Sequence, residues 1–373
     1  MADAARVRIS PMDSVVSPLP PLELAFKPDA AEAQRRMRAY WQGEIVDRAC
    51  ASIRAPRDGS KPARRSLIVA EDFDFSAAID QYEAWAAQMF FGGEAMPALM
   101  PNYGPDQWAG FFGAKLTLAP EMDTSWAEPL DSGDEWPKLR FDPANRWWNA
   151  LVALTKLAAE RGHGKFILSA IDTHSNLDCL SALRGPSQLC LDLIERPDKV
   201  LEALDQIQSH YKAVYETIFA AGRMDQQGST SWLDMWSEGR TQAIQCDFCF
   251  MISKEHFRRF VLPALEYEIS CVDHAVYHMD GPGQIRHLDD LLALPRLHTI
   301  QWVPGAGQPP TPAWLEMLQK IQRAGKAVQV LVSVEEVKQI YAKLAPEKTF
   351  YWVLDCPSES EARRLLDWME RAT

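Results

Sequence analysis

The segment YHMDGPG sets an imidazole and a carboxylate, His278 and Asp280, two residues apart and just ahead of Gly281, Pro282 and Gly283. At the end of a β-strand this spacing turns both side chains to one face, and the glycine-rich turn then redirects the chain. Aimed together, the two groups can hold a metal or divide acid–base work. They can equally form a hydrogen-bonded pair with no ion between them. Cys356, in WVLDCP after a later apolar run, is a candidate third ligand. His, Asp and Cys would leave a fourth position open, as a catalytic zinc site requires. CDFC (246–249) has the form C-x-x-C, which alone reads as readily as a turn with half-buried thiols as a zinc or redox site. Asp247, inside it, is a candidate to face the same pocket and to serve with Asp280 as a catalytic carboxylate.

Other residues could bind a substrate around such a centre. Trp232 and Trp236 lie in SWLDMWSEGR, Trp302 ends an apolar run in IQWVPG, and Tyr277 precedes the histidine. Aromatic rings at strand ends wall pockets for flat or sugar-like ligands, although any single ring can instead be core. Arg184 and Arg240 each adjoin a glycine and could bind a substrate carboxylate bidentately, or form an ion pair.

Positioning these groups calls for alternating strands and helices. Strand-like runs occupy 165–171, 227–232, 275–280, 298–303, 327–332 and 349–354, with amphipathic helical stretches between them. Two further strands are expected in the first 120 residues, one at SLIVA (66–70), beside helices at 31–41 and 75–90. The pattern predicts parallel βα units and an α/β fold, a (β/α)8 TIM barrel, with the active site at the strand C-termini. Residues 1–30, rich in proline, read as an extended arm, and 31–373 as one barrel domain. The Gly-, Pro- and Trp-rich stretch 91–148 reads as a long insertion near the active-site face.

The chain has 373 residues, 47% apolar and 24% charged, enough to bury a large core. Its formal net charge of −12 gives no general attraction for nucleic acid or anionic membrane, so neither is an expected partner. Seven scattered cysteines fit reduced thiols and a cytoplasmic location. No signal peptide or membrane span is expected, and the absence of a P-loop or a GxGxxG after a strand argues against a nucleotide cofactor.

Several segments, in order, resemble the uroporphyrinogen decarboxylase superfamily between about 95 and 370. They are LSAIDTHSNLDCLSALRGPSQLCLDLIERPDKVLEAL, CDFCFMISKEHFRRFVLPALEYE and YHMDGPG. The resemblance implies a barrel with a cleft at its C-terminal face. The arginine-rich N-terminal motif of true uroporphyrinogen decarboxylases has no counterpart here. The other branch, zinc methyltransferases that move methyl groups between corrinoid proteins and thiols, holds zinc on His-x-Cys plus a later Cys. By that resemblance His278 matches the histidine, Asp280 replaces the first cysteine and Cys356 stands for the second. A carboxylate in place of a thiolate makes the site harder and a bound zinc more Lewis acidic.

The leading expectation is thus a zinc-dependent methyltransferase or demethylase, acting on a small molecule or on a corrinoid supplied by a partner protein. A metal-free decarboxylase or other lyase is the alternative, and a catalytically silent ligand-binding barrel a third reading. A homodimer is compatible with each.

Overall fold

The computed structural model describes residues 18–64, 66, 74–130, 136 and 139–373. The expected strand at 66–70 therefore falls, apart from Ser66, outside the described residues. Those residues form eleven strands: β1 Cys50–Pro56, β2 Met89–Gly93, β3 Ala98–Leu99, β4 Lys115–Ala119, β5 Thr124–Glu128, β6 Ile167–Leu168, β7 Thr241–Ile244, β8 His274–Asp280, β9 Leu297–Val303, β10 Ala327–Val332 and β11 Thr349–Val353.

Seven of them make one curled sheet in the order β2-β1-β11-β10-β9-β8-β7, parallel throughout except for β2. Central strands such as β10 are apolar and buried along nearly their whole length, as a parallel sheet covered on both faces demands. The expected closed eight-stranded barrel is not what the ladder shows. The sheet is a half-barrel, and β3 and β6, two residues each, pair only with one another. The reason lies partly at 227–232, expected as a strand. There Gly228 takes φ +77°, Ser229 bridges back to Ser237, and a single bond from Ala170 N to Thr230 O (2.7 Å) stands where a ladder would run. Within the Gly/Pro/Trp-rich stretch, β4 and β5 form a separate antiparallel hairpin.

Two apolar layers flank the sheet. The larger lies between its convex face and the helices, and holds Tyr277, Met279, Ile300 and Trp302. The smaller fills the concave face with Tyr40, Trp41, Trp236, Leu233, Val276 and Phe350. Helix Ala30–Trp41 plugs this face at the N-terminal ends of β8 and β9. Its Trp41 ring stacks on His274 at 4.3 Å, and its Tyr40 hydroxyl bonds Thr299 Oγ1 at 2.9 Å. Ahead of it, Lys27 is buried and donates to the carbonyls of Phe91 and Gly93, both at 2.8 Å, tying residues 18–29 to β2. With that end closed, the C-terminal ends of the strands are left to form a cleft. Among the described residues no helix is long and apolar enough to cross a membrane.

Candidate active site

Three chain segments meet at the C-terminal ends of β6, β7 and β8. The first, Asp172-Thr173-His174, follows β6 and leads into helix Asn176–Arg184. The second is the 3-10 turn Asp247–Met251 after β7. Its first N–H groups are satisfied from that helix: Asp178 accepts from the backbone of Asp247 (2.9 Å) and Phe248 (2.8 Å). That clamp fixes Asp247 between its neighbours. The third segment is the end of β8, where alternation sends His278 and Asp280 to the concave side and Tyr277 and Met279 to the helices.

Asp247 belongs to two clusters at once. Ligand atoms of Asp247, His278 and Asp280 all lie within 4.8 Å of one another, and so do those of His174, Asp178 and Asp247. Asp247 Oδ1 is buried and has no hydrogen-bond partner.

The two histidines differ in what they face. His174 is set between carboxylates, with Nε2 3.2 Å from Asp172 and Nδ1 4.0 Å from Asp178. Burial opposes its charge, but Asp172, Asp178 and Asp247 outweigh it and lift its pKa to about 10, so His174 is an imidazolium at neutral pH. Asp178 is pushed up to about 7 by burial and by Asp247, against the pull of His174 and two backbone N–H groups. His278 instead places Nδ1 2.5 Å from the side-chain oxygen of Gln301, and its ring meets Trp232 edge-on at 4.9 Å. Burial and the charge of Asp247 raise the pKa of Asp280, with His278 opposing.

Beside the clusters opens a cleft of about 610 Å³ lined by Asp106, His174, Asp178, Asp247 and Phe248. Trp126, from the β4–β5 hairpin, and Phe250 and Met251, from the 3-10 turn, stand half-exposed at its rim. The Phe250 ring rests on Gly283, in space that a side chain at that position would fill.

The residues singled out in the sequence are distributed unevenly. Asp247, His278 and Asp280 converge, and Trp232 packs on His278. Cys356 is in neither cluster; it is buried, with its Sγ 3.6 Å from Ser358 O. Tyr277 and Trp302 point into the helical layer, Tyr277 to Gln284 (3.1 Å) and Trp302 against Trp314 (4.9 Å). Trp236 is fully buried in the concave core, its indole N–H on Gln227 O. Arg184 pairs with Asp192, and Arg240 with Glu216, both at 2.7 Å. Cys246 and Cys249 are buried free thiols in the turn. Asp172, His174 and Asp178 were not singled out. The signal available for them was D-x-H at a strand end, with the spacing of H-x-D in YHMD.

A methyltransferase from Methanosarcina mazei has a similar structure, with a TM-score of 0.59 and 11% sequence identity over 91% of this chain and 98% of that one. At that identity the likeness shows a shared fold. No protein-family model matches the chain, and no curated protein matches it.

Proposed function

We propose that this protein is a metal-dependent methyltransferase whose divalent ion, zinc in the first instance, is held by Asp247, His278 and Asp280. The observation that carries the reading is the convergence of those three ligand atoms within 4.8 Å, at an aspartate, Asp247, whose buried Oδ1 has no hydrogen-bond partner. A buried carboxylate oxygen without a donor is costly unless a cation completes it. One imidazole and two carboxylates suit zinc and leave room for a substrate atom. In this reading Asp247 takes the place that the sequence suggested for Cys356. The shared fold with a methyltransferase and the resemblance to the zinc methyltransferase branch support the reaction class.

Bound there, the ion would lower the pKa of a thiol substrate so that it attacks as thiolate. The S–C bond then forms as the bond from the methyl carbon to its donor breaks, and that electron pair leaves with the donor. A corrinoid carried by a partner protein is one such donor. Trp232 holds the imidazole edge-on, while Trp126, Phe250 and Met251 give the cleft an apolar rim that limits water.

The test is methyl transfer from methylcobalamin to a small thiol, followed by corrinoid absorbance with the chain stripped of metal and then reloaded. Turnover that requires zinc and disappears in Asp280→Asn supports the reading. Turnover that is absent after reloading, or unchanged in the variant, rejects it. One observation favours a metal-free lyase: the raised pKa of Asp280, which suits a proton donor. Against it, Arg184 and Arg240, the expected carboxylate holders, are both committed to ion pairs.

A further inference from the structure

Three residues at matching register cross the concave face on adjacent strands: His278 on β8, Gln301 on β9 and Gln329 on β10. Both glutamines are fully buried. Two buried amides in a sheet core cost stability unless every group is satisfied, and here each is. Gln301 Nε2 donates to Gln329 Oε1 at 2.9 Å, and Gln329 Nε2 donates to the carbonyl of Leu233 at 2.6 Å.

The direction of this chain follows from its last member. A backbone carbonyl can only accept, so Gln329 must present its NH2 to Leu233 and its oxygen to Gln301. Gln301 must then present its NH2 to Gln329 and its oxygen to His278. An oxygen can only accept, so His278 carries a proton on Nδ1, and in the neutral ring Nε2 is the nitrogen with the lone pair.

We infer that Gln301 and Gln329 are positioning residues that hold His278 in its Nδ1–H tautomer, leaving Nε2 as the ligand atom. The Leu233 segment closes the arrangement. Trp232, one residue earlier, packs on the His278 ring, and Asp234, one residue later, is pinned to β1 by Ser52 and by Arg54 at 2.7 Å. Ring plane and tautomer are thus both set from one three-residue stretch. The use made of the tautomer rests on the proposed metal site; the tautomer itself does not.

The experiment is nitrogen NMR of the full chain with 15N-histidine, metal-free and at about pH 8.5, roughly two units above the ordinary imidazole pKa. The His278 signal is identified by its loss in His278→Ala. Wild type is expected as Nδ1–H. Gln301→Met, close in volume but without an acceptor, is expected to revert to the Nε2–H form that a free histidine prefers, with zinc affinity falling about 10- to 100-fold. Gln301→Glu keeps the acceptor and is expected to keep both tautomer and affinity. Gln329→Met frees the Gln301 amide to turn and is expected to give a mixture. An Nε2–H signal in wild type, or a tautomer unmoved by Gln301→Met and Gln329→Met, overturns the inference. If the tautomers shift as expected but wild type takes up no zinc, the positioning role stands and the metal reading fails.

Discussion

The two clusters that share Asp247 are built from the same residue types, one histidine and one further aspartate each, yet their histidines face different partners. His174 touches carboxylates and becomes a half-buried cation that neutralises its own surroundings. His278 touches an amide oxygen, which asks for a proton on Nδ1. The first cluster supplies its own positive charge and has little use for a metal, since displacing the His174 proton would be costly at neutral pH. The second gathers its imidazole and two carboxylates within 4.8 Å, and no carboxylate pairs with the nitrogen that meets Gln301. What a His–Asp constellation does is therefore decided by the partner on the far side of each ring.

The contrast can be broken most severely at the second cluster. His278→Ala and Asp247→Asn each remove a proposed ligand, and zinc affinity should fall by more than the ~100-fold upper end for loss of an outer partner, as read by competition with a chelating dye. At the first cluster, His174→Gln removes a charge and no proposed ligand, so zinc affinity should change only a few-fold. Its effect should appear in stability. The folded pKa of His174, about 10, lies above its ordinary 6.5. The stabilisation is therefore complete below pH 6.5 and is lost as pH rises through about 10. The gap in urea midpoint between wild type and His174→Gln should be widest at about pH 6.5 and below and close toward pH 10; a gap that widens with pH would contradict the assignment. The smallest effect is expected at Cys356, where Cys356→Ser should leave zinc uptake within about twofold, set against the 10- to 100-fold of an outer partner.

The strands that frame the site were legible where the chain is apolar on both faces. AVYHMD, HTIQWV, AVQVLV and TFYWVL correspond to β8 to β11. β1 escaped notice because CASIRAP is made of small residues around an arginine that Asp234 neutralises from a distant loop. Residues 227–232 carry strand-like composition, but Gly228 turns them. Alternation of side chains was enough to place His278 and Asp280 on one face. Applied one step further, it also sends Tyr277 and Met279, and Trp302 beside them in register, to the other. Cys356 follows Asp355, whose φ of +55° redirects the chain after β11, and no spacing rule anticipates that turn. The partner of Arg240 was illegible for a different reason: its ion pair with Glu216 joins two elements and leaves no local pattern, whereas His174 has its carboxylates within four residues, at Asp172 and Asp178.

The most direct measurement is zinc content by elemental analysis of tag-free protein, with wild type beside His278→Ala and His174→Gln. About one zinc per chain in wild type and in His174→Gln, with none in His278→Ala, is the expected result. No zinc in wild type even after addition of the ion, or equal loss in both variants, would contradict the division of labour between the two clusters.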